Sequence, residues 1–405
     1  MAVGLRPPQV LLPVPGVSLA ACTAGIYKKP RPDLCLMAFE PGSTAAAVFT
    51  TNAFSAAPVQ VARSHLACAS PRLGLINAGN ANAGTGQRGI EDAITVCRAA
   101  ARLGGCSQSE VLPFSTGVIG EFLPVESICN ALPALQRRLS EAGWMDCAEA
   151  IMTTDTVAKG VSRQVEIGGR PVTVTGIAKG AGMIHPRMAT LLAFLATDAA
   201  LDSALLREIL GNAVRGSFNR ISVDGDTSTN DAVLLVATGR AGPFAADAGS
   251  APVQAVQAAV SAVCLELAQA VIRDGEGATK FISIRVEQGA NEAECVKVAE
   301  TVAGSPLVKT AFYASDPNWG RILAAVGRAG LEHLDTSRVD IYLEEVCIVE
   351  QGGRAGAYTE GAGKEVMSRA EIQLRICLGR GTSSATIWTC DLSHDYVKIN
   401  AEYRS

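Results

Sequence analysis

Apolar positions recur along this chain with two periods, and the period switches from block to block. Ala47 to Thr50, Val59 to Val61 and Leu73 to Ile76 are short β-branched or apolar runs that predict strands. Ile94, Cys97 and Ala101 share one face of a helix predicted over 90–103, and a second helix is predicted over 123–139, stopping near Gly143. Val172, Val174 and Ile177 predict a hairpin within 165–177, and 191–195 reads as an apolar strand. In the second half, 203–218 reads as an amphipathic helix. Val253, Val256, Val260, Val263, Leu267 and Val271 trace a buried stripe on a helix over 252–273. Strands are predicted again over 281–286, 339–349, 371–378 and 384–391. The tally is that of mixed sheets covered by helices, α+β or layered α/β. Gly239, Gly242-Pro243 and Gly249-Ser250 mark a surface loop, and no linker divides the chain.

Composition narrows the class. With 405 residues, 48% apolar and 18% charged, the chain has ample core and is not disordered. A net charge of −4 offers no footprint for nucleic acid or for an anionic membrane surface, so neither is an expected partner. No run reaches the ~18 uninterrupted apolar residues of a membrane span. The first residues do not read as a signal peptide, because Pro13 and Pro15 break the apolar run and only Arg6 precedes it. A soluble, cytoplasmic protein is expected. The twelve cysteines show no CxxC spacing and read as small, reduced core residues; the four histidines form no ligand pair, so no metal is expected.

Two motifs invite sharper readings. Gly84-Thr85-Gly86-Gln87-Arg88-Gly89 matches GxGxxG, but its first glycine comes seven positions after Asn77, where the preceding strand is expected to end. A loop feeding a helix N-terminus is the plainer reading, with a nucleotide-binding regulatory module as its competitor. Asp224 to Asp231 starts like a calcium loop, but Leu235 stands where the bidentate glutamate belongs. A turn capping the next strand is expected there, with a site-lining role second.

The stretch Lys179-Gly180-Ala181-Gly182-Met183-Ile184-His185-Pro186-Arg187-Met188-Ala189-Thr190 is a glycine-rich loop ending in a threonine that opens an apolar strand. Spacing alone favours a structural threonine. The stretch nonetheless resembles the cleavage signature of the ornithine acetyltransferase family, the bifunctional glutamate N-acetyltransferase/ornithine acetyltransferases of arginine biosynthesis. Ordered matches extend over nearly the whole chain: Val48 to Asn52, Asn77 to Ala83, Ser115 to Gly120, Met152 to Thr156, Asp224 to Asp231, Asp274 to Lys280, Asp316 to Arg321 and Tyr396 to Tyr403. Ala181 and Leu191 depart from residues common in the family, and neither change removes a catalytic group.

The resemblance implies a layered α/β fold of the self-cleaving, N-terminal-nucleophile-like (DmpA/ornithine acetyltransferase) type. It implies self-cleavage between Ala189 and Thr190, giving an α chain of 1–189 and a β chain of 190–405 that intertwine and pair as a heterotetramer. Thr190 then carries both a hydroxyl nucleophile and a free α-amine. Such an amine titrates near 7.7–8.0 and can serve as the base. Thr116 and Gly117 are implied to stabilise the oxyanion, and Thr153, Lys179, Thr190, Glu276, Asn400 and Ser405 to bind substrate, with Thr154 nearly as good a choice as Thr153. The implied reaction moves acetyl from N2-acetyl-L-ornithine to L-glutamate by a ping-pong cycle. No cofactor is implied, and acetyl-CoA is an open second donor. A self-processing threonine amidase or peptidase, passing the acyl group to water, is the alternative. His185 is expected to be a loop residue.

Overall fold

The computed structural model describes residues 2–27, 30–185, 191–243 and 249–402. Thr190 and Ala189 lie outside the described residues, as does Ser405.

Two sheets stack face to face. The first has strand order Val17–Cys22, Leu34–Phe39, Leu73–Asn80, Val111–Val118; its last pair is parallel and the others antiparallel. The second runs Thr44–Phe49, Ala232–Ala237, Leu192–Thr197, Arg170–Lys179, Lys159–Ile167, with only the second and third strands parallel. Between them Met37, Ile76 and Phe114 of one sheet meet Phe194, Leu234 and Val236 of the other. The Phe114 and Phe194 rings are edge to face at 5.0 Å.

Strand Ala232–Ala237 is apolar at every position and Leu192–Thr197 at all but its last, because both of their faces are covered. Phe194, Leu234 and Val236 point to the first sheet. Their chain neighbours Ala193, Leu195, Val233 and Leu235 point the other way, into a core shared with helices Ser203–Gly216 and Ala251–Arg273. Helices Gly86–Gly104 and Val125–Arg137 cover the outer face of the first sheet. The result is four layers, helix, sheet, sheet, helix. A third sheet of seven strands, centred on Glu371–Cys377, Phe281–Gly289 and Ser383–Cys390, packs with the shorter helices of residues 292–367 around its own core. The layered α/β expectation is met.

Particular elements differ from expectation. Val59 to Val61 lies in helix Ala57–Cys68: Pro58 starts it, and Pro58, Val61, Ala62 and His65 recur at three- and four-residue steps on its buried side. Residues 339–349 form two strands, Asp340–Leu343 and Val346–Glu350, turning at Glu344, whose φ is +50°. Helix Ala251–Arg273 is, among the described residues, the one long and apolar enough to cross a membrane, but 56% of that stretch is buried against its neighbours. Cys35 and Cys147 do not follow the reduced-cysteine reading. They form a disulfide that links strand Leu34–Phe39 to helix Trp144–Ala150 across 112 residues. The helix packs on the sheet with these two Cα atoms 5.6 Å apart, a meeting that spacing along the chain does not reveal. The other ten cysteines are free.

Candidate active site

Chain segments from both sheets converge at one end of the sandwich. Residues 77–83 carry the chain out of the first sheet: Asn77 to Asn80 end strand Leu73–Asn80 with a register shift at Asn80, and 81–83 follow as a loop that asparagine side chains tie down. Asn77 Nδ2 donates to Asn80 O (2.8 Å), and Asn80 Nδ2 donates to Phe122 O (3.0 Å). Asn82, at φ +47°, donates to Gly89 O (2.9 Å), which fixes the entry to helix Gly86–Gly104. Gly84 to Gly89 thus folds as a turn into a helix. Alongside, the Ser115 hydroxyl donates to Asn77 Oδ1 (2.6 Å), and Asn230 Nδ2 bridges Ala81 O (2.7 Å) and Ser115 O (2.9 Å).

These contacts hold Thr116-Gly117 at the strand end. Gly117 has φ +135°, and a Cβ there would stand 2.2 Å from the Gly79 carbonyl carbon. Nothing flexible is available to yield, so only glycine fits. Gly117→Ala is expected to lower stability by about 1–3 kcal/mol, read by chemical denaturation.

From the second sheet comes Lys179, the last residue of its strand and 3% exposed. Its Nζ donates to Thr116 Oγ1 at 3.3 Å. Beneath it lies a buried charge chain. Lys159 Nζ donates to Asp155 Oδ1 (2.6 Å) and Asp274 Oδ2 (2.7 Å), with all three side chains essentially solvent-free. Asp155 also accepts the N–H groups of Thr153 (3.0 Å) and Gly180 (2.7 Å). Asp274 accepts those of Thr156 (2.9 Å) and Val157 (3.2 Å), and the Thr156 hydroxyl. Burial alone would raise the Asp155 carboxyl. Lys159 and Lys179 outweigh it and hold the group far below the ordinary carboxylate range. Burial pulls the Lys179 ammonium down against the pull of Asp155.

Two residues after Asp274, Glu276 enters the same space. Its N–H donates to Ala181 O (2.8 Å), and its Oε2 accepts from Asn400 Nδ2 (2.7 Å) on helix His394–Ala401. On the loop toward 186–190, Asp224 accepts Met183 N–H (2.6 Å), Ile184 N–H (2.8 Å) and the Tyr396 hydroxyl (3.2 Å). His185 is a loop residue here, as expected. On the far side of 186–190, Leu191 N–H donates to Asp231 Oδ1 (2.8 Å) and Leu191 O accepts from Ala232 N–H (3.1 Å). Burial pushes the Asp231 carboxyl well above its usual range.

These walls form an open cavity of about 230 Å³. It is lined by Thr116, Gly117, Thr153, Lys179, Glu276 and Asn400, with Thr154 beside Thr153. Ser228, Thr229, Asn230, Ala81 and Met183 are also in the lining. The turn 224–231 therefore both leads into a strand and lines the cavity. In the sequence Ser228 and Asn230 are marked only by that polar run, itself one of the family-like segments; Asp155 and Asp274 stand in two others, and Lys159 lies outside all of them.

The profile of the ArgJ family matches residues 18–405. The chain belongs to the ArgJ family. An arginine biosynthesis bifunctional protein ArgJ of Methylococcus capsulatus is 59% identical over 395 residues, covering 98% of this chain and 97% of its own. One from Pseudomonas syringae pv. tomato is 54% identical over the full length of both. A crystal structure of the arginine biosynthesis bifunctional protein ArgJ from Bacillus halodurans is 37% identical, with a TM-score of 0.50. Its match spans 52% of this chain and 98% of the solved chain. As an ArgJ family member the chain is an enzyme of arginine biosynthesis, and the cavity gathers six of the residues named from the sequence, Thr116, Gly117, Thr153, Lys179, Glu276 and Asn400, while Ala189, Thr190 and Ser405 lie outside the described residues.

Proposed function

We propose that this enzyme moves an acetyl group from N2-acetyl-L-ornithine to L-glutamate through an acetyl ester on Thr190, after cutting itself between Ala189 and Thr190. The observation that carries the reading is the cavity: Thr116, Gly117, Thr153, Lys179, Glu276 and Asn400 line it, and the nitrogen that follows Thr190 in the chain is held by Asp231 close by.

In the scheme, the Thr190 hydroxyl attacks the acetyl carbonyl and its proton passes to the α-amine of the same residue. The oxyanion takes hydrogen bonds from the Thr116 hydroxyl and the Gly117 N–H. Collapse breaks the C–N bond, the stored proton goes to the leaving nitrogen, and ornithine departs. The glutamate amine then attacks the ester and leaves as N-acetylglutamate, restoring the hydroxyl. Glu276, held by Asn400, faces the ornithine ammonium, and Thr153 and Ser405 complete the substrate contacts. No resident cofactor enters the scheme. Acetyl-CoA enters as a co-substrate acetylating the same threonine, a reading in keeping with the word bifunctional in the relatives' names. The solved Bacillus halodurans chain, matched over 98% of itself but 52% of this chain, is close to the length of the 190–405 piece and supports a two-chain mature form. That form is proposed to pair as a heterotetramer in the cytoplasm.

The test supplies acetylornithine with and without glutamate. Acetylglutamate formed in step with ornithine is expected; acetate released at the same rate without glutamate would make the enzyme a hydrolase. Glu276→Gln should raise KM for acetylornithine roughly tenfold, the worth of one charged hydrogen bond, and leave KM for glutamate unchanged or lower. Steady-state kinetics with each substrate varied reads this.

A further inference from the structure

We infer that Asp224 is a positioning residue for self-cleavage: its carboxylate holds the backbone at Met183 and Ile184, and so sets where the bond after Ala189 can lie. The inference rests on the reading that the chain cuts itself between Ala189 and Thr190.

Asp224 is half-buried and takes four donors. Its Oδ2 accepts the Met183 N–H (2.6 Å) and the Tyr396 hydroxyl (3.2 Å). Its Oδ1 accepts the Ile184 N–H (2.8 Å) and, within its own turn, the Asp226 N–H (3.3 Å). Met183 has φ +56°, in the left-handed region that residues other than glycine rarely adopt. With the backbone bent there, two successive N–H groups converge on one carboxylate, as in the nests that bind anions. Such a conformation persists only where its surroundings over-determine it, and it is typical of functional sites. Here the neighbouring chain adds to the hold, since Ile184 O accepts the Val223 N–H (2.9 Å), the Gly225 N–H (3.4 Å) and the Ser222 hydroxyl (3.3 Å).

The same stretch of chain fixes the other flank. Leu191 N–H donates to Asp231 Oδ1 (2.8 Å), and Leu191 O accepts the Ala232 N–H (3.1 Å). Residues 222–232 thus grip the chain at Ile184 and again at Leu191, and the bond to be cut lies between the two grips. In the cut, the bond from the Thr190 hydroxyl oxygen to the Ala189 carbonyl carbon forms as the C–N bond breaks. The hydroxyl proton ends on the freed nitrogen. Water then opens the ester, leaving a carboxylate on Ala189 and the hydroxyl on Thr190. The attack is intramolecular, so its rate depends on how closely the oxygen is held to the carbon, and a misplacement of about 1 Å can cost about 100-fold. Asp224 is not among the residues that line the cavity, so it acts through the backbone it holds.

The test follows freshly made full-length precursor by mass spectrometry as fragments appear, beside wild-type and Thr190→Ala chains. Asp224→Asn keeps the size of the side chain and one acceptor oxygen, and should slow cutting by about 10- to 100-fold. Glycine takes a positive φ without strain, so adding Met183→Gly to Asp224→Asn should raise the cutting rate at least about threefold. A role in stability alone would not produce that recovery. In the Thr190→Ala background, where every chain stays whole, Asp224→Asn should still unfold in one cooperative urea transition, which separates slow cutting from failure to fold. Should the asparagine variant not fold, Asp224→Glu, which keeps the charge but displaces it by one methylene, carries the same comparison.

Cutting of Asp224→Asn at the wild-type rate, or a slow variant that Met183→Gly does not quicken, would overturn the inference and leave the Thr190 scheme standing. A wild-type precursor that stays whole would end the scheme itself, and the role of Asp224 with it.

Discussion

Thr190→Ala should yield one uncut chain of 405 residues that transfers acetyl at least about 10,000-fold more slowly than the wild type. In the proposed scheme the change removes the nucleophile of both reactions. Without the hydroxyl the Ala189 carbonyl is not attacked, so no free α-amine forms. Without amine and hydroxyl there is neither base nor acceptor for the acetyl group. The fold should survive, because the strand that follows is held by Leu191 and by residues buried on both faces. Intact mass and an acetyl-transfer assay on the same preparation read both effects. Thr190→Ser keeps a hydroxyl and should still cut and turn over. Wild-type protein with only its original N-terminus, or a fully active Thr190→Ala protein, would end the scheme.

Lys159→Met should cost about 3–5 kcal/mol, the typical penalty for breaking a buried ion pair from one side. Here the loss strands two carboxylates, Asp155 and Asp274. The sign of the pH dependence follows. In the wild type Asp155 is held below its unfolded value, near 3.9. Its contribution is therefore present above that pH and lost only as the pH falls through the depressed folded value. In the variant the leading cation is gone and burial dominates, so the folded-state carboxyl titrates above its unfolded value. Stability then falls as pH rises through the new range. The variant should be less destabilised at pH 5 than at pH 7, measured by urea unfolding at both. A deficit that is equal at the two values would show that Lys159 acts through packing and not through charge. Activity should fall with stability, because the same carboxylates hold the backbone of Thr153 and Gly180, and Asp274 lies two residues from Glu276.

How far the sequence speaks depends on how local the cause is. The stripe from Val253 to Val271 announces its helix because a single buried face repeats at helical spacing. Residues 191–195 announce a strand, but only the fold explains why every position is apolar. Val59 to Val61 misleads because valine favours strands locally, while Pro58 and the packing of the whole segment favour a helix. At the site, Thr116, Gly117, Thr153, Lys179, Glu276 and Asn400 could be named because whole motifs matched a family, and they do line one cavity. Lys159 and Asp274 could not be joined from the sequence: they meet across 115 positions through the packing of a strand against the end of a helix. Cys35 and Cys147 were invisible for the same reason, and Asn230 shows its purpose only once the segment 77–83 lies beside it.

The order of the five-stranded sheet sets the molecularity of folding. Ala232–Ala237 and Leu192–Thr197, from the later half of the chain, are flanked by Thr44–Phe49 and Arg170–Lys179 from the earlier half. An uncut precursor folds by a first-order process whose rate ignores dilution. With the 189–190 bond severed as proposed, the same sheet could be rebuilt only by collision of two separate polypeptides. Recovery from denaturant then becomes second order, and the enzyme's midpoint of unfolding acquires a dependence on its own concentration.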